Sequence, residues 1–331
     1  MTGKAAWTHY TQFKNTYKQK ADNMKVLIST SSFARYDQTP LKILDTNIID
    51  YTLNPYGRTL KYEEILELAK DHDAIIAGTE QLTRDVLEQL PELKMISRCG
   101  VGMDNVDMVA CIDHGIQLKN TPDAVTPAVA ELTLGLMLNI SRHICLMNNN
   151  MKAGEWNKKM GKLISGKKIG IIGLGRIGKK LAQLLRPFDV DILAYDIYQD
   201  TKWAMENDVM YADMGSLLEQ SDIISLHVPY SKENYHLLDA DKLAMMKKGA
   251  YIINVARGGL IDEDALFCKM KDGYFSGAAL DVFEKEPYNG KLTELENVIL
   301  TPHVGSYAME ARIQMEIEAT NNLIDMIGEN I

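Results

Sequence analysis

The chain has 331 residues, 46% of them hydrophobic and 24% charged, a composition that excludes intrinsic disorder and supplies apolar surface for two packed cores rather than one. Acidic side chains outnumber basic ones, 45 to 36, for a net charge of -9; without a basic footprint for a phosphate backbone, nucleic acid is not an expected partner. The longest uncharged apolar stretch of the helix-like segment after residue 126, Leu132 to Ser141, falls well short of the ~20 residues of a membrane span, so no membrane partner is expected.

Residues 1–23 are polar and Lys-rich, interrupted by Trp7, Tyr10, Phe13 and Tyr17, and lack the ~7–15-residue apolar run of a secretory signal. The first strand-like run begins at Met24, so residues 1–23 read as an N-terminal extension added to a domain. Cys99, Cys111, Cys145 and Cys268 show no CxxC or paired-ligand spacing. Free thiols in a reducing, cytoplasmic compartment are expected, and no metal.

From Met24 onward, short apolar runs alternate with helical stretches. Strands are expected at Lys25–Ser29, Ala74–Ala77, Met95–Arg98, Ile116–Lys119, Lys168–Ile172, Ile192–Tyr195, Ile223–Leu226, Tyr251–Asn254, Ser276–Leu280 and Val298–Leu300. Amphipathic segments such as Tyr62–Lys70, Ile177–Leu185 and Glu263–Met270 lie between them, the alternation of parallel sheets covered by helices. The class is α/β. A boundary is expected at Thr121-Pro-Asp-Ala-Val-Thr-Pro127, where Thr126 can cap and Pro127 can open one long helix running toward Asn150. The last periodic stretch, Glu310 to Ile327, follows a strand of the second lobe and can fold back onto the first. The expected division is therefore 24–125 with 306–331 as one discontinuous domain, and 126–305 as the other.

The strand Lys168–Ile172 runs into Gly173-Leu-Gly175-Arg-Ile-Gly178 and then a helix. Gly173 permits the tight turn, Gly175 lets the backbone approach a pyrophosphate, and Gly178 lets helix and strand pack closely. The helix start presents its N–H groups and positive dipole end to phosphates. The next strand ends at Asp196, placed to accept hydrogen bonds from the adenosine ribose hydroxyls and to repel a 2′-phosphate. These features imply a dinucleotide, NAD rather than its phosphorylated form.

Three later segments end strands: Asn254-Val-Ala-Arg-Gly-Gly259, Ala279-Leu-Asp-Val-Phe-Glu-Lys-Glu-Pro287 and Thr301-Pro-His-Val-Gly305. They supply Arg257, Glu286 and His303. A guanidinium that holds a carboxylate and polarises a carbonyl, an imidazole that carries a proton, and a carboxylate that tunes the imidazole together suit carbonyl reduction.

On these motifs, with Arg98-Cys-Gly-Val-Gly-Met-Asp-Asn-Val-Asp107 and Ala130-Glu-Leu-Thr133, the chain resembles the NAD-dependent D-2-hydroxyacid dehydrogenases, including phosphoglycerate dehydrogenases and glyoxylate or hydroxypyruvate reductases. The resemblance spans nearly everything from Met24 on. It implies two Rossmann-like parallel-sheet domains, the nucleotide domain inserted into a discontinuous flavodoxin-like substrate domain, and a homodimer. It also implies roles: Arg257 binds substrate, His303 is the acid/base and Glu286 its partner. Backbone N–H groups of Val101 and Gly102 hold the substrate carboxylate and Asp281 orients the nicotinamide carboxamide. Arg176 and Ile177 lie on the pyrophosphate, Val228 near the adenosine, and Val255, Ala256 and Gly305 along the cofactor. Candidate substrates are 3-phosphoglycerate, glycerate or hydroxypyruvate, and glyoxylate. One departure bears on the choice: where related phosphoglycerate dehydrogenases carry an arginine after the third strand, this chain has Gly78-Thr-Glu80, which removes a phosphate anchor and adds a negative charge. The chain also ends 28 residues beyond His303, leaving no room for the carboxy-terminal effector domains of long phosphoglycerate dehydrogenases. The same scaffold serves NAD-sensing corepressors without turnover and formate or phosphite dehydrogenases, which remain alternatives at this point.

Overall fold

Runs such as Ala74-Ile-Ile-Ala77 and Ile223-Ile-Ser-Leu226 are buried along their whole length, as strands covered on both faces must be, and they assemble into parallel sheets. The computed structural model describes residues 24–329; the extension expected over residues 1–23 lies outside them, as do residues 330 and 331. The chain forms two units, one holding the described residues up to Val125 and those from Ala308, the other Thr126–Tyr307.

In the first unit, strands β1 (Lys25–Ile28), β2 (Asp50–Leu53), β3 (Ala74–Ala77), β4 (Met95–Arg98) and β5 (Gln117–Asn120) stand in the order β2-β1-β3-β4-β5. All pairs are parallel, Val26–Ile28 against Ala74–Ile76 and Ala74–Ala77 against Met95–Arg98. Between the strands run α1 (Thr39–Thr46), α2 (Tyr62–Ala69), α3 (Arg84–Glu88) and α4 (Met108–Asp113). Leu27, Ile75, Ile96, Leu82 and Leu87 are among the side chains of one core, each stabilising by about 1.5–3 kcal/mol on burial.

After β5 the chain enters α5 (Pro122–Arg142) and α6 (Ile144–Lys152). The second unit then adds β6 (Lys168–Ile172), α7 (Arg176–Leu185), β7 (Asp191–Tyr195), α8 (Thr201–Glu206), β8 (Val209–Tyr211), α9 (Met214–Gln220), β9 (Ile223–Leu226), α10 (Ala240–Met245), β10 (Tyr251–Asn254), α11 (Glu263–Lys271), β11 (Gly277–Leu280) and β12 (Val298–Leu300). Its sheet order is β12-β11-β10-β9-β6-β7-β8. Aspartates cap its helices: Asp200, Asp213, Asp239 and Asp262 each accept a backbone N–H of the first turn, worth about 1 kcal/mol apiece. Ile172, Leu226, Ile252, Phe275 and Leu280 lie in its core. The last helix, α12 (Met309–Glu329), packs on β4 and β5 of the first unit. Ser97 Oγ donates to the Ala319 carbonyl at 2.6 Å and Asn322 Nδ2 to the Asn120 carbonyl at 2.9 Å.

Several expectations about elements are corrected. Strands β2 and β8 are additional to those expected: β2, an edge strand with a largely exposed surface, carries no apolar run, and β8, at the other sheet's edge, is only three residues long. The long helix opens not at Thr126 but at Pro122, which takes a first-turn place needing no N–H, and Pro127 lies inside it; the bond lost there is offset by the burial of Val129, Ala130 and Met137. Nor does the helix reach Asn150. His143 adopts a left-handed conformation with φ 54°, and the Ser141 carbonyl accepts from Lys162 N–H instead of continuing the helix ladder. By length and composition α5 meets the measure of a bilayer span, exceeding the Leu132–Ser141 stretch, yet 56% of its most apolar window is buried in the protein.

In open parallel sheets, ligands bind beyond the carboxyl ends of the strands, where the strand order reverses. The reversals here are β1/β3 in the first sheet and β6/β9 in the second.

Candidate active site

At the β6/β9 reversal two of the three glycines prove to be required by space. Gly173 has φ 98°, and a Cβ there would lie 2.7 Å from the His227 carbonyl and 2.8 Å from Val228 Cγ1. A Cβ on Gly178 would fall on the Gly173 carbonyl oxygen. Gly175 is different: a Cβ there would meet nothing within 4 Å, and both it and Arg176 are exposed at the start of α7. Its missing side chain therefore leaves backbone open to an incoming group, at the end of a ten-residue helix where N–H groups and the dipole favour a phosphate. Asp196 stands beside this loop, its Oδ2 accepting from Leu174 N–H at 2.7 Å and its Oδ1 from Tyr198 N–H at 2.9 Å. Carboxylate oxygens carry further acceptor sites, so these bonds fix Asp196 while leaving it able to receive ribose hydroxyls. The cradle fits a dinucleotide.

The reacting groups gather at the ends of β10, β11 and β12. Asn254, buried at the end of β10, shapes the first loop: its Nδ2 donates to the Arg257 carbonyl at 2.8 Å and its Oδ1 accepts from Ala256 N–H at 3.1 Å. Arg257 Nη1 donates to the Ala256 carbonyl at 2.7 Å. The next residue must be glycine, since a Cβ on Gly258 would fall on the Phe283 carbonyl carbon. That close approach brings the arginine loop against the loop carrying Glu286. Glu286 Oε1 accepts from Phe283 N–H at 3.1 Å, and its Oε2 stands 2.8 Å from His303 Nδ1. An ionised carboxylate can only accept, so Nδ1 carries the proton and Nε2 is turned away from Glu286. The His303 side chain is 49% exposed.

The backbone of His303 has φ 53°, a conformation that costs a non-glycine residue about 1–2 kcal/mol and needs support. Asp281 supplies it. Fully buried at the end of β11, its carboxylate accepts from Thr301 Oγ1 at 2.6 Å and from Val304 N–H and Gly305 N–H at 2.8 Å each. His303 N–H donates to the Asp281 carbonyl at 2.9 Å. Burial pushes the Asp281 carboxyl up, against the opposing pull of the Thr301, Val304 and Gly305 bonds.

The sequence motifs thus fall in two neighbouring groups on one sheet: Gly173, Gly175, Arg176, Ile177, Gly178, Asp196 and Val228 around β6, β7 and β9, and Val255, Ala256, Arg257, Asp281, Glu286, His303 and Gly305 around β10 to β12. Val101 and Gly102 belong to the first unit, in a loop tied by Gly100 N–H to Thr121 Oγ1 at 2.8 Å and by Asn120 Nδ2 to the Val101 carbonyl at 2.8 Å. Two residues escaped the sequence reading. Thr301 sits inside a quoted motif, but its bond to Asp281 is a tertiary fact. His227 precedes Val228; burial pushes its imidazole down to about 3, its Nε2 shares a hydrogen bond with Ser225 Oγ at 2.8 Å, and its buried Nδ1 meets no partner. A histidine so held is the neutral imidazole near pH 7 and is not a source of an acidic proton there.

Comparison with known proteins identifies the family. A family model for the NAD-binding domain of D-isomer specific 2-hydroxyacid dehydrogenases matches residues 134–305. A glyoxylate reductase of Thermofilum pendens is 42% identical over 277 residues, covering 80% of this chain and 81% of the relative. A D-3-phosphoglycerate dehydrogenase of Methanocaldococcus jannaschii is 44% identical over 259 residues, 76% of this chain but 49% of the relative. A hydroxypyruvate reductase of Thermotoga maritima is 38% identical over 276 residues, 81% of this chain and 89% of the relative. Among solved structures, a glyoxylate reductase from Paecilomyes thermophila superposes with a TM-score of 0.83 at 30% identity, covering 92% of this chain and 95% of its own.

Proposed function

The chain belongs to the D-isomer specific 2-hydroxyacid dehydrogenases, and from that premise we propose how its residues divide the work of an NAD-dependent oxidoreductase acting at C2 of a small D-2-hydroxy or 2-oxo acid. The observation that carries the proposal is the 2.8 Å contact of His303 Nδ1 with Glu286, on a loop packed against that of Arg257 through Gly258. The glycine loop, Arg176 and Ile177 take the pyrophosphate, and Asp196 the adenosine ribose. Val228, Val255, Ala256, Asp281 and Gly305 line the rest of the cofactor's path. Bound NAD(H) supplies or takes up the hydride at its nicotinamide ring.

His303 handles the proton. In reduction its imidazolium gives the Nε2 proton to the carbonyl oxygen, and in oxidation the neutral ring removes it from the hydroxyl. Glu286 fixes the ring and its tautomer through the contact at Nδ1, leaving Nε2 for the substrate. Arg257 holds the acid and stabilises the charge that develops on the oxygen. Val101 and Gly102 present backbone N–H groups to the substrate carboxylate. The Gly78-Thr-Glu80 segment, which offers a carboxylate and no arginine after the third strand, favours an unphosphorylated substrate, glyoxylate or hydroxypyruvate over 3-phosphoglycerate.

We assign the chain to the cytoplasm and to a homodimer. The four cysteines are unpaired, as suits a reducing compartment. Ile144, Met151, Trp156, Met160 and Leu163 on α6 and the segment after it are all exposed, apolar surface suited to a second copy; sedimentation should give the mass of two chains. The reaction is tested with glyoxylate, hydroxypyruvate, pyruvate, 3-phosphoglycerate, D-glycerate and D-lactate against NAD(H) and NADP(H). Turnover of at least one unphosphorylated acid with NAD(H) is expected. Tight NAD(H) binding with no turnover of any would replace the proposal with a regulatory role.

A further inference from the structure

A second ligand-directed group lies in the first unit, at the β1/β3 reversal. Glu80 is 2% exposed there. Its Oε1 accepts from Ser29 Oγ, at the end of β1, and from Gly78 N–H at 3.0 Å, just past β3. Its Oε2 is buried and has no hydrogen-bond partner in the protein. A carboxylate oxygen left so costs about 1–3 kcal/mol or more, and the chain makes room for it: a Cβ on Gly78 would lie 2.9 Å from this oxygen and 3.2 Å from Thr30 Cα. The flanking residues Ser31 and Thr79 are exposed, at the place where a parallel sheet of this order receives ligands.

The surroundings specify what fits. Asn105 joins the β3 and β4 loops, accepting from Arg98 Nε at 3.3 Å and donating to the Gly78 and Glu80 carbonyls at 3.3 and 2.7 Å. A buried guanidinium on the same loop system, 9% exposed as a residue, makes a second cation unwelcome, and the carboxylate itself repels a phosphate. A neutral donor is left. The Val101–Gly102 backbone follows β4, one strand over, a lateral step of about 4.8 Å and of the scale of a three-carbon acid.

We propose that Glu80 determines substrate specificity, its unpartnered oxygen accepting a hydrogen bond from a hydroxyl on C3 of the substrate, so that the preferred acids are hydroxypyruvate and D-glycerate. This rests on the reading of the protein as a 2-hydroxyacid dehydrogenase with the carboxylate held at Val101–Gly102. A site built to accept a substrate hydroxyl rejects the analogue lacking it, because the acceptor is then left unpaired.

Two measurements on the full-length protein separate the claims. Calorimetric titration with D-glycerate and D-lactate, which differ by that one hydroxyl, needs no turnover. Wild type is expected to bind D-glycerate at least tenfold more tightly, and Glu80→Gln to abolish most of that difference. Glu80→Asp keeps the charge but shortens the reach and should lose the preference as well. Gly78→Ala, which crowds the carboxylate tip without touching it chemically, is the second route should Glu80→Gln fail to fold. In steady state, kcat/KM for hydroxypyruvate over pyruvate should exceed tenfold in wild type and collapse in Glu80→Gln, with glyoxylate changed less than threefold. Equal affinity for the two hydroxy acids, no binding of either, or an equal loss on every substrate overturns the proposal and leaves Glu80 a tie between β1 and β3. Discrimination in the titration without turnover of any 2-oxo acid would instead sustain the site and refute the reaction.

Discussion

Replacing Asp281 with Asn probes how the His303 loop is held. The carboxylate accepts three bonds, from Thr301, Val304 and Gly305. An asparagine oxygen placed at Oδ1 keeps the first two, but its amide nitrogen then faces the Gly305 N–H across a 2.8 Å gap built for an oxygen. The variant loses one hydrogen bond to a charged acceptor, about 1.5–3 kcal/mol, and leaves two buried donors opposed at a further cost of about 1–3 kcal/mol. Relief of the buried charge, whose burial pushes the carboxyl up, offsets part of this. The net expectation is a loss of about 2–4 kcal/mol, a large share of the ~5–15 kcal/mol that holds a domain. His303, in its left-handed turn, loses its support with it; a displacement of about 1 Å at a reacting group costs on the order of 10²-fold in turnover. Urea unfolding followed by fluorescence is suitable, since Trp156 and Trp203 both lie in the second unit, alongside kcat for the preferred acid. Stability within about 0.5 kcal/mol of wild type together with turnover within threefold would refute the reasoning.

Arg257→Lys keeps the charge but not the planar fork, and kcat/KM should fall by about 10²-fold or more; full retention would reduce the residue to a point charge. Asp196→Ala should weaken NADH binding, read by its fluorescence, by about tenfold or more and narrow the preference for NAD over NADP; a wild-type preference for NADP would contradict the ribose role. His227 bears on acid stability. Its imidazole takes a proton near 6.5 in the unfolded chain but only near about 3 when folded, so the unfolded state binds more protons as the pH drops through that window and stability falls, by about 2 kcal/mol at pH 5. A His227→Gln variant should show a shallower acid decline, and an identical one would mean that the folded ring titrates normally.

Much of this was legible in residues that satisfy local rules. The glycine spacing demanded a turn, an open backbone and a close contact, and Gly173, Gly175 and Gly178 supply one each. Fully buried parallel strands such as β3 and β9 read as apolar runs, whereas the edge strand β2 did not, because its exposed side needs no apolar residues, and β8 is too short, at three residues, to register as a run. Pro127 misled, since a proline inside a helix is tolerated only where packing compensates for it, and packing is not a local property. Arg257, Glu286 and His303 were chosen by chemistry, but their approach depends on Gly258 passing beneath Phe283. Nothing in Gly78-Thr-Glu80 as a string indicated that the carboxylate would be buried with one oxygen unpaired; that follows from β1 and β3 being neighbours, which only the sheet order reveals.

The most direct test of the central claim is a single-turnover experiment on His303→Ala, loaded with NADH and mixed with the preferred 2-oxo acid. NADH binding should match wild type while the rate of its oxidation falls about 10²–10⁴-fold. Oxidation within a few-fold of wild type, at equal occupancy, would show that some other group moves the proton.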